Sequence, residues 1–194
     1  MNIHDNFEKR LSKVWTRKIN RYHDDRGYFL EYFRQNHEKN TDVNFVQDSV
    51  SFSQINVLRG LHIQEDQWQL STLLRGSVRY FVLDVDPKSN DYLKLDTLAL
   101  SSTGVSQVLA APGVAHGFFA ESTDVVMSYK NSTYYNESSQ YGINFSSFTE
   151  FESMLSNCIR SKRDLEFSSI TEVLNDHVFK EFQSRIGSKI PHKL

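Results

Sequence analysis

The sequence predicts a mainly β protein: many short strands closed into a sandwich or barrel, followed by a helical appendage at the C-terminal end. Three observations carry this expectation. Aromatic residues make up 13% of the chain, mostly Phe and Tyr, which suits a pleated sheet better than a helix. Between residues 43 and 130, short runs with period-two alternation are separated by turn residues at close intervals. Towards the C-terminus the apolar spacing changes to that of a helix.

The expected strands begin with residues 43–47 and 50–53, both alternating apolar and polar. Residues 70–74 and 78–85 flank Arg75-Gly76-Ser77 and read as a β-hairpin. A turn cluster follows at residues 86–91, then strands over 93–100, 105–111 and 124–130. Pro112-Gly113 supplies the residue pair of a type II turn. Ser147–Asn157 reads as a short helix. Ser169 and Glu172 form a capping box, after which Ile170, Val173, Leu174, Val178, Phe179, Phe182 and Ile186 describe one face of a single helix stopped by Gly187. The expected organisation is one β domain over residues 1–194, with residues 146–194 as its helical appendage, because roughly 45 residues rarely hold a core alone.

Composition excludes several classes of function. With 22 basic and 24 acidic residues, and no long run of one sign, the chain has no electrostatic footprint for nucleic acid or an anionic membrane. An anionic small molecule, which needs only two or three placed cations, remains open. Cys158 is the only cysteine, so there is no intrachain disulfide framework and a reducing compartment is expected. Residues 1–6 are polar and lack the apolar core of a signal peptide, and no apolar run approaches bilayer length. The expected location is the cytoplasm.

Seven histidines raise the question of a metal. His62 is followed two residues later by Gln64, a poor ligand, so the His-x-His pair usual in metal-binding jelly rolls is absent, and His116 alone does not complete a ligand set. His4, His23, His37, His177 and His192 lie in polar or terminal contexts that suit surface histidine. His62 and His116 differ, since each sits beside a glycine in a strand-rich region, where a backbone or ligand can approach closely. On the residues alone, a hydrogen-bonded core histidine is the favoured reading of either, as are Arg59 as a surface cation and Tyr129 as a packed aromatic with a wet hydroxyl.

Five motifs in order go further: Asp24-Asp25-Arg26-Gly27-Tyr28-Phe29-Leu30-Glu31; Phe45-Val46-Gln47-Asp48; Asn56-Val57-Leu58-Arg59-Gly60-Leu61-His62; Pro112-Gly113-Val114-Ala115-His116-Gly117-Phe118; and Tyr129-Lys130 with Tyr134-Tyr135. Together, over residues 24–135, they resemble the dTDP-4-dehydrorhamnose 3,5-epimerase family. The resemblance implies a jelly-roll, cupin-like fold, a homodimer, no cofactor, and a nucleotide-diphospho-sugar substrate whose hexose carries a ketone at C4. Its setting would be deoxysugar supply for a bacterial surface polysaccharide such as O-antigen.

The chemistry explains the residue types. Removing a proton beside a ketone needs a base near neutral pKa and stabilisation of the enolate oxygen. The resemblance makes His62 the base, Asp164 in Ser161-Lys162-Arg163-Asp164 its orienting carboxylate, and Tyr129 the acid that returns the proton on the opposite face. It places His116 and Tyr135 in the sugar pocket and Arg59 and Gln47 on the diphosphate. Arg26 and Glu31 would reach the nucleotide, partly across a dimer interface.

Three departures stand out. Where the family has Gln-x-Lys-Leu, with its lysine near the enolate, this chain has Gln67-Trp68-Gln69-Leu70, so Gln69 brings a hydrogen-bond donor and no charge. Gln47-Asp48-Ser49 replaces a Gln-Asp-Asn, and residues 142–147 replace a Trp-rich segment. The expected function is epimerisation at C3 of an NDP-4-keto-6-deoxyhexose, with C5 open. A sugar-nucleotide binder without catalysis, a keto-isomerase and a metal-dependent cupin are the alternatives.

Overall fold

The computed structural model describes residues 7–35 and 43–186. The expected helix stop at Gly187 and the histidines His4, His37 and His192 lie outside these residues. Thirteen strands are present: β1 (Glu8–Leu11), β2 (Val14–Lys18), β3 (Tyr22–Asp24), β4 (Gly27–Phe29), β5 (Gln47–Ser53), β6 (Leu58–Gln64), β7 (Gln69–Arg75), β8 (Ser77–Asp84), β9 (Leu95–Ser101), β10 (Val105–Ala110), β11 (Val114–Ala120), β12 (Val125–Asn131) and β13 (Gln140–Gly142). They form a six-stranded sheet in the order β1-β2-β10-β7-β12-β5, a five-stranded sheet in the order β13-β6-β11-β8-β9, and a separate β3-β4 hairpin. The main sheets are antiparallel and pack face to face without closing, a jelly-roll, cupin-like sandwich with short C-terminal helices.

Period-two alternation builds the core. Val78, Tyr80 and Val82 of β8 and Val125 and Met127 of β12 point into the space between the sheets, where Leu73, Leu100 and Val108 join them. The opposite residues of β8, Phe81 and Leu83, face outward, where the C-terminal segment covers them with Phe145, Phe151, Phe179 and Phe182. The five-stranded sheet is therefore buried on both faces.

The structure corrects four expectations. Residues 43–46 are not a strand: Val43 and Phe45 pack beside Trp68 and Trp15, and pairing starts at Gln47. Arg75-Gly76-Ser77 is not a hairpin turn. Gly76, at φ +90°, sends the chain from the six-stranded to the five-stranded sheet, so β7 and β8 do not pair. A tight turn and a corner between sheets use the same glycine chemistry, and the partners of each strand decide between them. The tail helix is two helices, α3 (Ile170–Asn175) and α4 (His177–Arg185), because Asp176 is extended and its side chain caps Val178 N instead of continuing the turn. Residues 147–157 contain a 3-10 turn at Thr149–Phe151 and only a four-residue helix, α1 (Glu152–Leu155). The capping box at Ser169 and Glu172 is present as expected.

Candidate active site

A cavity of about 320 Å³ opens between the sheets. One wall comes from β6 and β11 of the five-stranded sheet and the other from β5, β7 and β12 of the six-stranded sheet. The structure brings His62, Arg59, His116, Gln47, Gln69, Tyr129 and Tyr135 together as its lining.

Strand β6 does not place its residues by simple alternation. Arg59 and His62 are three apart, so a regular strand would put them on opposite faces. Gly60 lies at φ +103°, and the register between β6 and β11 shifts opposite His116 and Phe118. This irregularity resets the parity, so that Arg59, His62 and Gln64 all face the cavity. It requires glycine on both strands. A Cβ at Gly60 would lie 2.7 Å from the His116 carbonyl oxygen, and one at Gly117 would lie 2.3 Å from the Arg59 carbonyl oxygen.

His62 Nε2 lies 2.9 Å from Asp164 Oδ1. Asp164 stands on α2 (Lys162–Leu165), whose start is capped by Ser161. Just upstream, Ile159 hydrogen-bonds to Asn56 and Leu58 and ties that segment to the start of β6. A carboxylate only accepts, so in the neutral ring Nε2 carries the hydrogen and Nδ1 keeps the lone pair. Burial pushes the Asp164 carboxyl up, but hydrogen bonds from His62, the Gly60 amide and Ser161, with the attraction of His62, outweigh it and hold the group below the ordinary carboxylate range. The Phe167 ring meets the imidazole edge-on at 5.7 Å, and a Cβ at Gly142 would strike that ring at 2.3 Å.

His116, beside His62 on the same wall, is buried, and burial pushes it down to about 4 despite its hydrogen bond to the Val114 carbonyl. It is neutral at pH 7. Its Nδ1 donates to that carbonyl at 3.0 Å, which leaves Nε2 as an acceptor.

On the opposite wall the Tyr129 hydroxyl lies 2.8 Å from Ser51 Oγ. Burial raises its pKa, against the lowering effects of Ser51 and Arg59, so the phenol holds its proton at neutral pH. Arg59 is fixed by Nε to Ser53 Oγ at 3.0 Å and by one Nη to the Phe52 carbonyl at 3.1 Å. Gln47 Oε1 accepts from the Tyr135 amide at 2.8 Å, and the Tyr135 hydroxyl accepts from Arg163 at the rim. The cavity holds, then, a histidine with an oriented lone pair, a protonated phenol on the other wall, and a guanidinium.

Arg26 and Glu31 do not line this cavity. Arg26 sits exposed at the turn of the β3-β4 hairpin, paired with Asp24, and Glu31 pairs with Arg34. Lining residues that sequence reading missed are Ser49, Ser51, Gln64, Gln67, Tyr80, Phe118, Asn131 and Gln140. Alternation along β12 from Tyr129 was the available signal for Asn131; Tyr80 looked like any core aromatic. Among the described residues no group of three or more His, Cys, Asp and Glu could hold a metal ion, and no helix is long and apolar enough to cross a membrane.

Known proteins resemble most of this chain. The family model for dTDP-4-dehydrorhamnose 3,5-epimerase matches residues 8–172. The dTDP-4-dehydrorhamnose 3,5-epimerase of Escherichia coli (strain K12) is 38% identical over 126 residues, covering 62% of this chain and 68% of the relative. The enzyme of the same description from Sinorhizobium fredii is 37% identical over 139 residues, 69% of this chain and 71% of the relative. Among solved structures, dTDP-4-dehydrorhamnose 3,5-epimerase from Elizabethkingia anophelis superposes with a TM-score of 0.73 at 30% identity, covering 87% of this chain and 98% of that one. The dTDP-6-deoxy-D-glucose-3,5-epimerase of Legionella pneumophila, solved with dTDP-4-keto-L-rhamnose, superposes at 0.76 and 26% identity, covering 89% and 95%.

Proposed function

This chain belongs to the dTDP-4-dehydrorhamnose 3,5-epimerase family, a family of sugar-nucleotide epimerases, and from that premise we propose that it inverts C3 of a nucleotide-diphospho-4-keto-6-deoxyhexose without a cofactor. The observation that carries this reading is the His62–Asp164 pair standing across one cavity from Tyr129. His62 Nδ1 takes the C3 proton. The C–H electron pair forms the C3–C4 double bond and the ketone oxygen becomes an enolate. Asp164 holds the resulting imidazolium. Tyr129 then protonates C3 on the other face, the pair returns from oxygen, and solvent restores the phenol. Arg59 and Gln47 hold the diphosphate, while His116 and Tyr135 line the hexose site; the nucleotide tested first is dTDP, as in the relatives.

The same reading makes the protein a homodimer in the cytoplasm, supplying a deoxysugar for a surface polysaccharide. Strand β5 is an edge whose outward Val50 and Phe52 are 67% and 53% exposed, and the β3-β4 hairpin exposes Tyr22, Tyr28 and Phe29. A partner on this face would let Arg26 and Glu31 reach the nucleotide of the other subunit. Sedimentation tests this: a monomer at micromolar concentration overturns the dimer.

Incubation with dTDP-, CDP- and GDP-4-keto-6-deoxyglucose in heavy water tests the reaction. One deuterium, at C3, is expected. Two deuteriums, at C3 and C5, replace the single inversion by a double one. No incorporation by protein that still binds the nucleotide overturns the epimerase in favour of a binder.

A further inference from the structure

A chain of hydrogen bonds crosses from Tyr80 on β8 to the six-stranded wall of the cavity and runs along it, and its direction is fixed from one end. Tyr80 is 1% exposed, and its hydroxyl lies 2.9 Å from Ser71 Oγ. A buried phenol must donate its proton or leave it unsatisfied, and Ser71 is its hydrogen-bond partner among the described residues. Ser71 has one proton of its own and passes it to Gln69 Oε1 at 3.0 Å. Gln69 Nε2 donates in turn to Asn131 Oδ1 at 3.1 Å. Each acceptor is filled from behind, so what the chain presents to the cavity is the Asn131 amide nitrogen, which has no protein acceptor among the described residues. Successive donation polarises such a chain and strengthens its last N–H.

Few other lining groups are committed as donors. Gln67 spends its amide nitrogen on Thr133, and Gln47 spends its own on Ser49. His116 presents a lone pair, and Gln140 carries a buried Oε1 without a partner, so both offer acceptors, as sugar hydroxyls require. Gln64 makes no side-chain hydrogen bond among the described residues and can turn either end to a ligand. Asn131 also has the right place. It is two residues beyond Tyr129 on the same face of β12, about 7 Å along the strand, and its Cα partner across the ladder is Gln69. A planar enolate lying between His62 and Tyr129 has its oxygen at the edge of that plane, beside the phenol and not under it.

We propose that Asn131, oriented by Gln69, Ser71 and Tyr80, is a further catalytic residue: its amide donates to the ketone oxygen of the substrate and holds the enolate charge without a cation. The proposal rests on the epimerase reading above. In the ground state the amide meets a neutral carbonyl; as the C3–H pair moves into the ring the same donor meets an oxyanion, so the contact strengthens where it lowers the barrier.

The test measures deuterium incorporation from heavy water, with dTDP affinity as the check on folding, for wild type, Asn131→Asp, Asn131→Leu and Tyr80→Phe. The two Asn131 variants are expected to lose about 10²–10³-fold in kcat for exchange, with dTDP Kd within about twofold of wild type. Tyr80→Phe keeps the ring in the cavity wall and removes only the hydroxyl spent on Ser71 at the head of the chain; kcat is expected to fall about 3–10-fold with KM unchanged. Asn131 variants that bind dTDP and exchange at the wild-type rate overturn the proposal while the epimerase stands. Wild type that binds dTDP and exchanges nothing overturns both. Where the Asn131 variants do not bind dTDP, Tyr80→Phe decides, and an unchanged kcat there is the overturning result.

Discussion

Strands β6 and β12 line opposite walls of one cavity, and they deliver their side chains by opposite means. Strand β12 keeps its own alternation, although its ladder with β7 shifts register between Val126 and Met127: Val125 and Met127 enter the core, Tyr129 and Asn131 continue the same face into the cavity, and Lys130 turns outward to Asp48, its partner across the ladder. Strand β6 is broken at Gly60 so that Arg59 and His62, three apart, can share a face. His62 further depends on Asp164, 102 residues away in sequence, whereas Tyr129 finds Ser51 on the neighbouring strand. The regular strand carries the end of a neutral hydrogen-bonded relay and a phenol that keeps its proton. The irregular one carries the group proposed to change charge, and fixing such a group takes more than a rotamer on a pleat.

The largest expected effect breaks the irregular side. Asp164→Asn would remove the carboxylate that sets the His62 tautomer, and deuterium exchange should fall about 10³–10⁴-fold while dTDP binding persists. Exchange within tenfold of wild type would remove Asp164 from the mechanism. On the regular side, Tyr129→Phe should cost about 10²–10³-fold in inversion but leave exchange at C3, since His62 can return a deuteron to the face it came from. Undiminished inversion, read from product stereochemistry by NMR, would refute the acid role.

Stability sharpens the same contrast. Gly60→Ala would drive a Cβ into the His116 carbonyl and add a left-handed φ, a cost of about 3 kcal/mol or more in urea unfolding. Met127→Leu, a nearly volume-conserving change in the core of β12, should cost less than about 1.5 kcal/mol. Equal costs would mean that the irregularity of β6 is not built into the packing.

His116 adds a pH signature. Its folded pKa is depressed to about 4 by burial, below the roughly 6.5 of an exposed histidine. Between those values the unfolded chain binds a proton that the folded one refuses, so stability should fall as pH drops through this window, by on the order of 3 kcal/mol at most. The Asp164 contribution runs separately: it is present above the ordinary carboxylate pKa and is lost only below about pH 4, as pH falls through its depressed value. His116→Asn, which keeps a donor for the Val114 carbonyl, should flatten the fall between pH 6.5 and 4 in Tm measurements. An unchanged slope would assign it to other groups.

Legibility in the sequence followed the same line. Alternation and turn residues showed most strands from β7 to β12; the ordered motifs contained His62 and Tyr129, and a separate short resemblance at residues 161–164 pointed to Asp164. The N-terminal strands β1, β3 and β4 went unread because they are short and mostly exposed, with little contrast between their faces, and the largely buried β2 because Thr16 and Arg17 in Val14–Lys18 break any apolar alternation. Asn131 and Tyr80 were passed over because an amide or a phenol on a strand has no signature until its partners are known.

The sequence by itself determined the β class, the capped helix start at Ser169 and the chemistry available to the cavity, because alternation, caps and side-chain types are local properties. The tertiary structure alone decided that Gly76 turns a corner between sheets, that Arg59 and His62 face the same way, and that the Tyr80 relay ends in a donor. Each of these depends on which distant strand lies alongside, and period-two alternation carries no information about that choice.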